Sequence, residues 1–337
     1  MNSIERVQAA VNFEATDRVP VIAQVFGHTA VISGMTIQDY VQSGRVLADC
    51  QIKALDRYGY DAVFAIMDVN VETEALGSRL VYRSNDYPYV QFHAFSKETN
   101  LDAVPIPDPR SAGRMPEILH ALRVLRREVG DEVLVVGGIL GPMTLAGQLM
   151  GLETALYSAI DDPEGFERLL DFSTDVVIRF GAAQVECGAH VPLVFDPTAS
   201  QAVIPPRFFL EFELPRLRRI FDALAAAGAP VGWLHVAGPI APILPFISEC
   251  GANIMNIDYC VDPNEAMEKA PSMCCNGNIK SFDFVEAPQE SISSESLRLQ
   301  SLFAHRGGFI LSSGCEIPPA SRPENVEAMV SAAREWR

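Results

Sequence analysis

The sequence predicts an α/β protein, a (β/α)8 barrel of the TIM type, and three observations carry that expectation. Eight short apolar runs recur along the 337 residues, at 19–25, 62–67, 133–139, 192–195, 231–236, 253–257, 273–277 and 308–311. Most are β-branched or almost continuously apolar, as parallel strands covered on both faces must be. Each is followed by a longer amphipathic stretch, and every crossover is long enough to bring the chain back parallel to its neighbour. The third observation is negative. No G-x-G-x-x-G opens a helix after the first run and no G-x-x-x-x-G-K-[ST] loop occurs, which removes the main support for a doubly wound nucleotide-binding sheet.

The remaining elements follow in chain order. A helix is expected ahead of the first strand. Thr36-Ile37-Gln38-Asp39 reads as a capping box and Tyr58-Gly59 as a helical stop. The longest irregular stretch, roughly 82–114, holds Pro88, Pro105, Pro107 and Pro109 and is expected as an insertion over one barrel end. Asp162-Pro163-Glu164 supplies an N-cap, a proline at the first helical position and an acid for the helix dipole. Phe166, Leu169, Leu170 and Phe172 then share one face. Phe208, Phe209 and Phe212, after Pro205-Pro206, read as a helix face against the barrel. Asp262-Pro263-Asn264-Glu265 repeats the start signal. Arg322-Pro323-Glu324 opens a last helix with Val326, Met329, Val330 and Ala333 on its apolar face. With no low-complexity linker, residues 1–337 are expected to form one domain.

Composition bounds the function. There are 26 Lys+Arg against 43 Asp+Glu, a net charge of −17, which excludes the broad basic footprint of a nucleic-acid binder. Seven cysteines, an odd number scattered through a long chain, are not a secreted disulfide framework. The first residues carry Glu5, Glu14 and Asp17 where a signal peptide needs an apolar core. No window approaches the ~18 uninterrupted apolar residues of a membrane span. The expectation is a cytoplasmic protein with reduced thiols and no membrane partner; a homo-oligomer stays open.

In such a barrel the chemistry is built at the carboxyl ends of the strands. That rule selects Gln24 and His28 after the first run, and Asp68, Glu72 and Glu74 after the second. Gly138–Gly147 follows the third, and Asp196 to Ser200 the fourth. His235, Asp258, Asn278 and then Cys315 with Glu316 come from the last four. His235 and Cys315 would thus meet in one pocket, and imidazole and thiolate are both good Zn²⁺ ligands. Taken singly, each has a plainer reading, a core histidine and a small buried thiol. His28 reads equally as a pocket residue or an exposed loop residue, and His190 as structural. Glu72 and Glu74 read first as a solvated loop, then as metal ligands. Cys274-Cys275 is no C-x-x-C motif, and strand alternation would turn one sulfur into the barrel and the other toward the helices.

Several motifs carry a family resemblance. They are Glu5-Arg6-Val7, Asp17-Arg18-Val19-Pro20, Tyr60-Asp61-Ala62 running to Asp68, and Glu74-Ala75-Leu76-Gly77. Further along come Gly141-Pro142-Met143-Thr144, Asp196-Pro197-Thr198-Ala199-Ser200, Gly277-Asn278 and Gly314-Cys315-Glu316-Ile317-Pro318-Pro319. In this order, spanning nearly the whole chain, they resemble the uroporphyrinogen decarboxylase superfamily. Its decarboxylases hold propionates with an arginine-rich segment after the first strand, where this chain has Gln24-Val25-Phe26-Gly27-His28, and they carry histidine at the position of Cys315. Asp68 matches their essential aspartate. The resemblance is stronger to the corrinoid-linked methyltransferase branch. It implies a methyl transfer between a small molecule and a corrinoid carried by a partner protein, with Zn²⁺ on His235 and Cys315. The family's third ligand, a cysteine, is replaced by Ala237. Glu316, Asp196, Glu72 and Asp258 are the carboxylates expected to complete the shell, with Glu316 foremost. On this reading Asp68, His235 and Cys315 are catalytic, and Gln24, His28, Asp196, Ser200 and Asn278 bind substrate. The alternatives are a tetrapyrrole decarboxylase and a catalytically silent member of a methyltransferase complex.

Overall fold

The computed structural model describes residues 1–335. The strands are β1 (Ala62–Ala65), β2 (Arg79–Arg83), β3 (Asp86–Phe92), β4 (Leu134–Leu140), β5 (Val191–Phe195), β6 (Trp233–His235), β7 (Ile254–Ile257), β8 (Cys274–Ile279) and β9 (Phe309–Ser313). β2 and β3 form an antiparallel hairpin. The other seven form one parallel sheet in the order β1-β4-β5-β6-β7-β8-β9, with helices between successive strands.

The run at 19–25, expected as the first strand, makes only an isolated parallel bridge between Val21 and Leu311. Its backbone reaches both edges of the sheet. Val21 O accepts from Asp61 N at 2.8 Å beside β1, and Ile22 N donates to Leu311 O at 3.0 Å in β9. Two features stop a ladder from extending. Pro20 has no N–H to donate, and Val21 N is captured by the Asp61 carboxylate at 2.7 Å. The expected eight-stranded barrel is therefore realised as a curled sheet of seven strands.

Strand alternation sorts the core into two parts. Ile22, Phe64, Val136, Leu193, Trp233, Ile254, Cys274 and Ile310 pack together inside the curl. Val63, Val135, Val194, Leu234, Met255, Cys275 and Leu311 face the helices. The two adjacent cysteines do part to opposite faces, and all seven cysteines are free. Below the sheet, Asp61 is fully buried and accepts from Arg6 Nη1 (2.7 Å), Arg18 Nη1 (2.7 Å) and Ser3 Oγ (2.8 Å). This ties the helix Ser3–Val11 across the amino ends of the strands. The Arg6, Arg18 and Asp61 motifs are thus structural, since removing one member would leave a buried charge without its partner.

The helix signals hold in detail. Thr36 and Asp39 form a reciprocal capping box, and Gly59 ends the helix Gly44–Tyr58 at φ 67°, the left-handed region that glycine occupies without strain. Asp162 caps Pro163–Glu186 through Gly165 N, and Asp262 caps Pro263–Lys269 through Asn264 N. The last helix runs Pro323–Glu335. Phe212 packs edge-on against Phe166 with ring centroids 5.3 Å apart, as its helix-face reading requires. The stretch 82–114 is less irregular than its prolines imply. The hairpin takes up its first part, with Pro88 inside β3, and a short 3-10 turn at Leu101–Ala103 follows. No described helix is long and apolar enough to cross a membrane.

Candidate active site

A cavity of about 210 Å³ opens at the carboxyl ends of the strands. Most of its wall is apolar, from Phe26, Ile66, Val71, Leu140, Phe195 and neighbouring side chains. Its polar groups are Asp68, Asn70, Glu72, Tyr87, His235, Cys315 and Glu316, and no lysine or arginine lines it. Tyr87 and Pro88 come from the hairpin, so that insertion does cover the sheet end. Asn70 Nδ2 donates to Pro88 O at 2.7 Å and fastens the hairpin to the loop after β1.

Asp68 follows β1 and is paired with Arg114, whose Nη1 and Nη2 both donate to its carboxylate. The same guanidinium donates through Nε to Glu74 at 2.6 Å and through Nη1 to Val41 O at 2.9 Å. One arginine is therefore shared between two acids. Burial works against its charge, but Asp68 and Glu74 outweigh burial and raise its pKa. Arg114 lies 46 residues beyond Asp68 in sequence, at the end of the proline-rich stretch, with no local motif to single it out.

Glu72 is not the solvated loop acid that the sequence implied. It is 2 % exposed, lines the cavity and accepts from Leu140 N at 2.9 Å. Burial pushes its carboxyl up to about 7. Glu316 is likewise raised to about 7 by burial, although Tyr87 OH (2.5 Å) and Gly27 N (3.4 Å) donate to it. His235, two residues past the inward-facing Trp233, also faces inward and packs against Phe195 at 5.1 Å between ring centroids. Burial lowers its pKa to about 4, so the imidazole is neutral, and among the described residues Nδ1 has no hydrogen-bond partner. Burial raises the Cys315 thiol to about 11, so it stays protonated near neutral pH.

Asp68, Glu72, His235, Cys315 and Glu316 are thus brought to one cavity; Gln24, His28, Asp196, Ser200 and Asn278 do not line it. Gln24 sits beneath, fully buried, with Nε2 donating to Ser313 O at 3.2 Å beside Asn276 and Ser312. His28 is neither exposed nor in the cavity. Its Nε2 meets Tyr58 OH at 2.8 Å, its Nδ1 meets Pro319 O at 3.3 Å, and burial lowers its pKa to about 4. Asp196 accepts from Thr144 N (2.9 Å), Thr144 Oγ1 (2.5 Å) and Met143 N (3.2 Å), holding the start of the helix Pro142–Met150. Ser200 Oγ accepts from Ala202 N within its own turn, at 3.4 Å. Asn278 Nδ2 donates to Val261 O at 3.0 Å and Asp258 O at 3.3 Å. These side chains brace the strand ends. His190 is structural as expected, with Nδ1 accepting from Val135 N at 2.9 Å at the foot of β4.

Sequence reasoning also missed Glu213, fully buried beside Asp196. Burial and then the Asp196 charge push it well above the ordinary carboxyl range.

A catalytic zinc site takes three protein ligands and one open position. Among the described residues no group of three His, Cys, Asp or Glu side chains is placed to hold a metal ion. Ala237 lines the cavity and offers no donor, and the Glu316 carboxylate is turned to Tyr87 and Gly27. The expected ligand set of His235, Cys315 and Glu316 does not fit zinc.

Comparison with known proteins decides the family. The uroporphyrinogen decarboxylase (URO-D) family model matches residues 2–336. The chain belongs to the uroporphyrinogen decarboxylase family. A methylcobamide:CoM methyltransferase of Methanosarcina barkeri is 29 % identical over 98 % of this chain and 97 % of its own. A uroporphyrinogen decarboxylase of Syntrophotalea carbinolica is 28 % identical over 84 % of this chain and 82 % of its own. Among solved structures, a methyltransferase from Methanosarcina mazei superposes with a TM-score of 0.90 at 27 % identity, covering 99 % of both chains. Members of this family acting as enzymes thus include both methyltransferases and decarboxylases.

Proposed function

We propose that this chain is a corrinoid-dependent methyltransferase, moving a methyl group between a small molecule in the cavity and a corrinoid carried by a partner protein. The observation that carries this reading is the cavity: small, mostly apolar and without a lining cation, in a chain similar over its whole length to a methylcobamide methyltransferase. A tetrapyrrole carboxylate asks for the opposite, several cationic donors and a far larger space. The decarboxylase reading therefore has weaker support, although Asp68 is common to both.

The corrinoid would supply the cobalt that takes up or gives the methyl group. This chain's own residues do the rest. The apolar wall excludes water and holds the reacting molecule by contact. Glu72 and Glu316, each near half-protonation at neutral pH, can donate a hydrogen bond to a heteroatom or accept one. Neutral His235 can do the same, and Asp68 is fixed by Arg114 at the rim of the cavity. Cys315 contributes wall and no thiolate. Gln24, His28, Asp196, Ser200 and Asn278 support the loops from behind. Exposed Val69, Val203, Tyr259 and Phe282 lie on the loops after β1, β5, β7 and β8, and this apolar rim suits a protein partner presenting its corrinoid.

The test is the visible spectrum of cobalt. Purified protein with methylcobalamin and a methyl acceptor, or with cob(I)alamin and a methyl donor, is expected to interconvert the two cobalt spectra. Decarboxylation of a tetrapyrrole carboxylate with no cobalt response would overturn the proposal. No response in either assay would leave the silent-member alternative standing.

A further inference from the structure

The interior of the curl beneath the cavity carries polar groups that the site does not use. Two residues past the inward-facing Trp233, Ile254 and Cys274 stand His235, Asn256 and Asn276, so strand alternation turns all three inward as well. Asn256 and Asn276 are register partners, and the Trp233–Ile254 pairing sets His235 level with Asn256. Gln24, two residues past the inward-facing Ile22, extends the arc, with Nε2 3.4 Å from Asn276 Oδ1. Across the curl the wall is apolar, built by Ile66 and Phe195.

The partners of these amides fix which end of each is free. The Trp233 indole only donates, and its Nε1 lies 2.8 Å from Asn256 Oδ1, so Nδ2 is the free end of Asn256. Gln24 Nε2 donates to the Ser313 carbonyl at 3.2 Å and faces Asn276 Oδ1, which frees Gln24 Oε1 and Asn276 Nδ2. Asn256 Nδ2, Asn276 Nδ2, Gln24 Oε1 and His235 Nδ1 are all buried, and none has a hydrogen-bond partner among the described residues. Buried polar atoms left in that state are costly, so native interiors pair nearly all of them.

Two of the four atoms donate, Gln24 Oε1 accepts, and Nδ1 of a neutral imidazole can accept. Water has two hydrogens and two lone pairs and matches this set one for one, in the manner of buried waters that bridge polar groups. An ion of either sign would meet groups of its own polarity. A molecule in the cavity does not reach the set, because of these four residues only His235 lines the cavity. The ring nitrogen left to face the cavity is then Nε2.

We propose that Asn256, Asn276 and Gln24 hold a buried water that donates to His235 Nδ1, fixing the imidazole as the Nε2–H tautomer and turning an N–H donor toward the cavity. The three amides are positioning residues for His235. The water and the tautomer follow from the interior of the curl alone; the use of that N–H on a reacting heteroatom rests on the methyl-transfer reading.

NMR on the ¹⁵N-labelled full chain at neutral pH tests it without cobalt. Long-range proton–nitrogen correlation, with the His235 signals identified by their loss in His235→Gln, is expected to show a protonated Nε2 and a bare Nδ1. Magnetisation is expected to pass from water to the side-chain NH₂ groups of Asn256 and Asn276. Asn276→Leu removes one donor and fills the space of the water, so transfer to Asn256 should be lost and the Nδ1 resonance should move. Should that variant not fold, Gln24→Met removes the acceptor at similar volume, with the same two changes expected. A protonated Nδ1 in the parent, no transfer to either amide, or transfer and an Nδ1 resonance that both survive the variant would each overturn the proposal. These NMR results together with no cobalt response would count against the methyl-transfer reading alone.

Discussion

Replacing Arg114 with methionine removes the charge that Asp68 and Glu74 share while keeping much of the side-chain volume. The guanidinium is 9 % exposed, the Asp68 side chain 2 % and the Glu74 side chain 25 %. Screening by water therefore does little for the Asp68 pair. Breaking a buried pair by removing one partner costs about 3–5 kcal/mol, because the other charge stays desolvated. The upper half of that range is expected here, since a second acid and the Val41 carbonyl also lose their donor. The assay is urea unfolding followed by tryptophan fluorescence, at about pH 7.5 and about pH 5.5. An unpaired buried carboxylate takes up a proton more readily, so the deficit should shrink at the lower pH. Adding Asp68→Asn to Arg114→Met should recover about 1–3 kcal/mol, because the amide needs no counter-charge. A loss below about 1 kcal/mol, or an equal loss at both pH values with no recovery in the double variant, would refute the pairing as the organiser of the Asp68 loop.

Three other outcomes follow from the same physics. Glu213 is raised above its unfolded value of 4.5, so its contribution is fully present below that pH and is lost as pH rises. Glu213→Gln should gain on the parent by up to about 1.4 kcal/mol per pH unit above 4.5, and a pH-independent difference would contradict the raised carboxyl. His28 and His235 are lowered from 6.5 to about 4, so the stability held by their neutral forms is present above 6.5 and is lost as pH falls toward 4. NMR should find both imidazoles neutral at about pH 5.5, and protonation there would contradict their burial. Gly44→Ala should cost about 1–3 kcal/mol in urea unfolding despite better helix propensity. A Cβ at Gly44 would stand 2.0 Å from the Glu117 carbonyl oxygen, and an unchanged midpoint would mean that the two helices separate freely.

What was legible in the sequence was what local chemistry determines. Capping residues, prolines at helix starts and apolar runs located most elements to within a few residues, because each signal acts within one turn or one strand. The run at 19–25 misled because its fate hangs on Asp61, some 40 residues away, which captures Val21 N. The strand-end rule found Asp68, His235, Cys315 and Glu316. It could not separate them from Gln24 and Asn278, which point into the next layer down or are taken by backbone carbonyls. Glu72 looked like a loop acid because nothing adjacent reveals that Leu140 N will reach it. Arg114 and Glu213 left no signal, since both act only through partners distant in sequence. No three-donor zinc group forms among the described residues, because Ala237 supplies no donor and the Glu316 carboxylate is turned to Tyr87 and Gly27.

The central claim is that a small molecule in this cavity exchanges a methyl group with cobalt. The direct measurement is the cobalt spectrum of methylcobalamin mixed with a thiol acceptor and the purified chain, in which the thiolate takes the methyl group and cob(I)alamin is released. The account predicts loss of the methylcobalamin spectrum, and no such change when Ala237→Leu narrows the cavity. A cobalt spectrum that stays unchanged with the parent chain would contradict it.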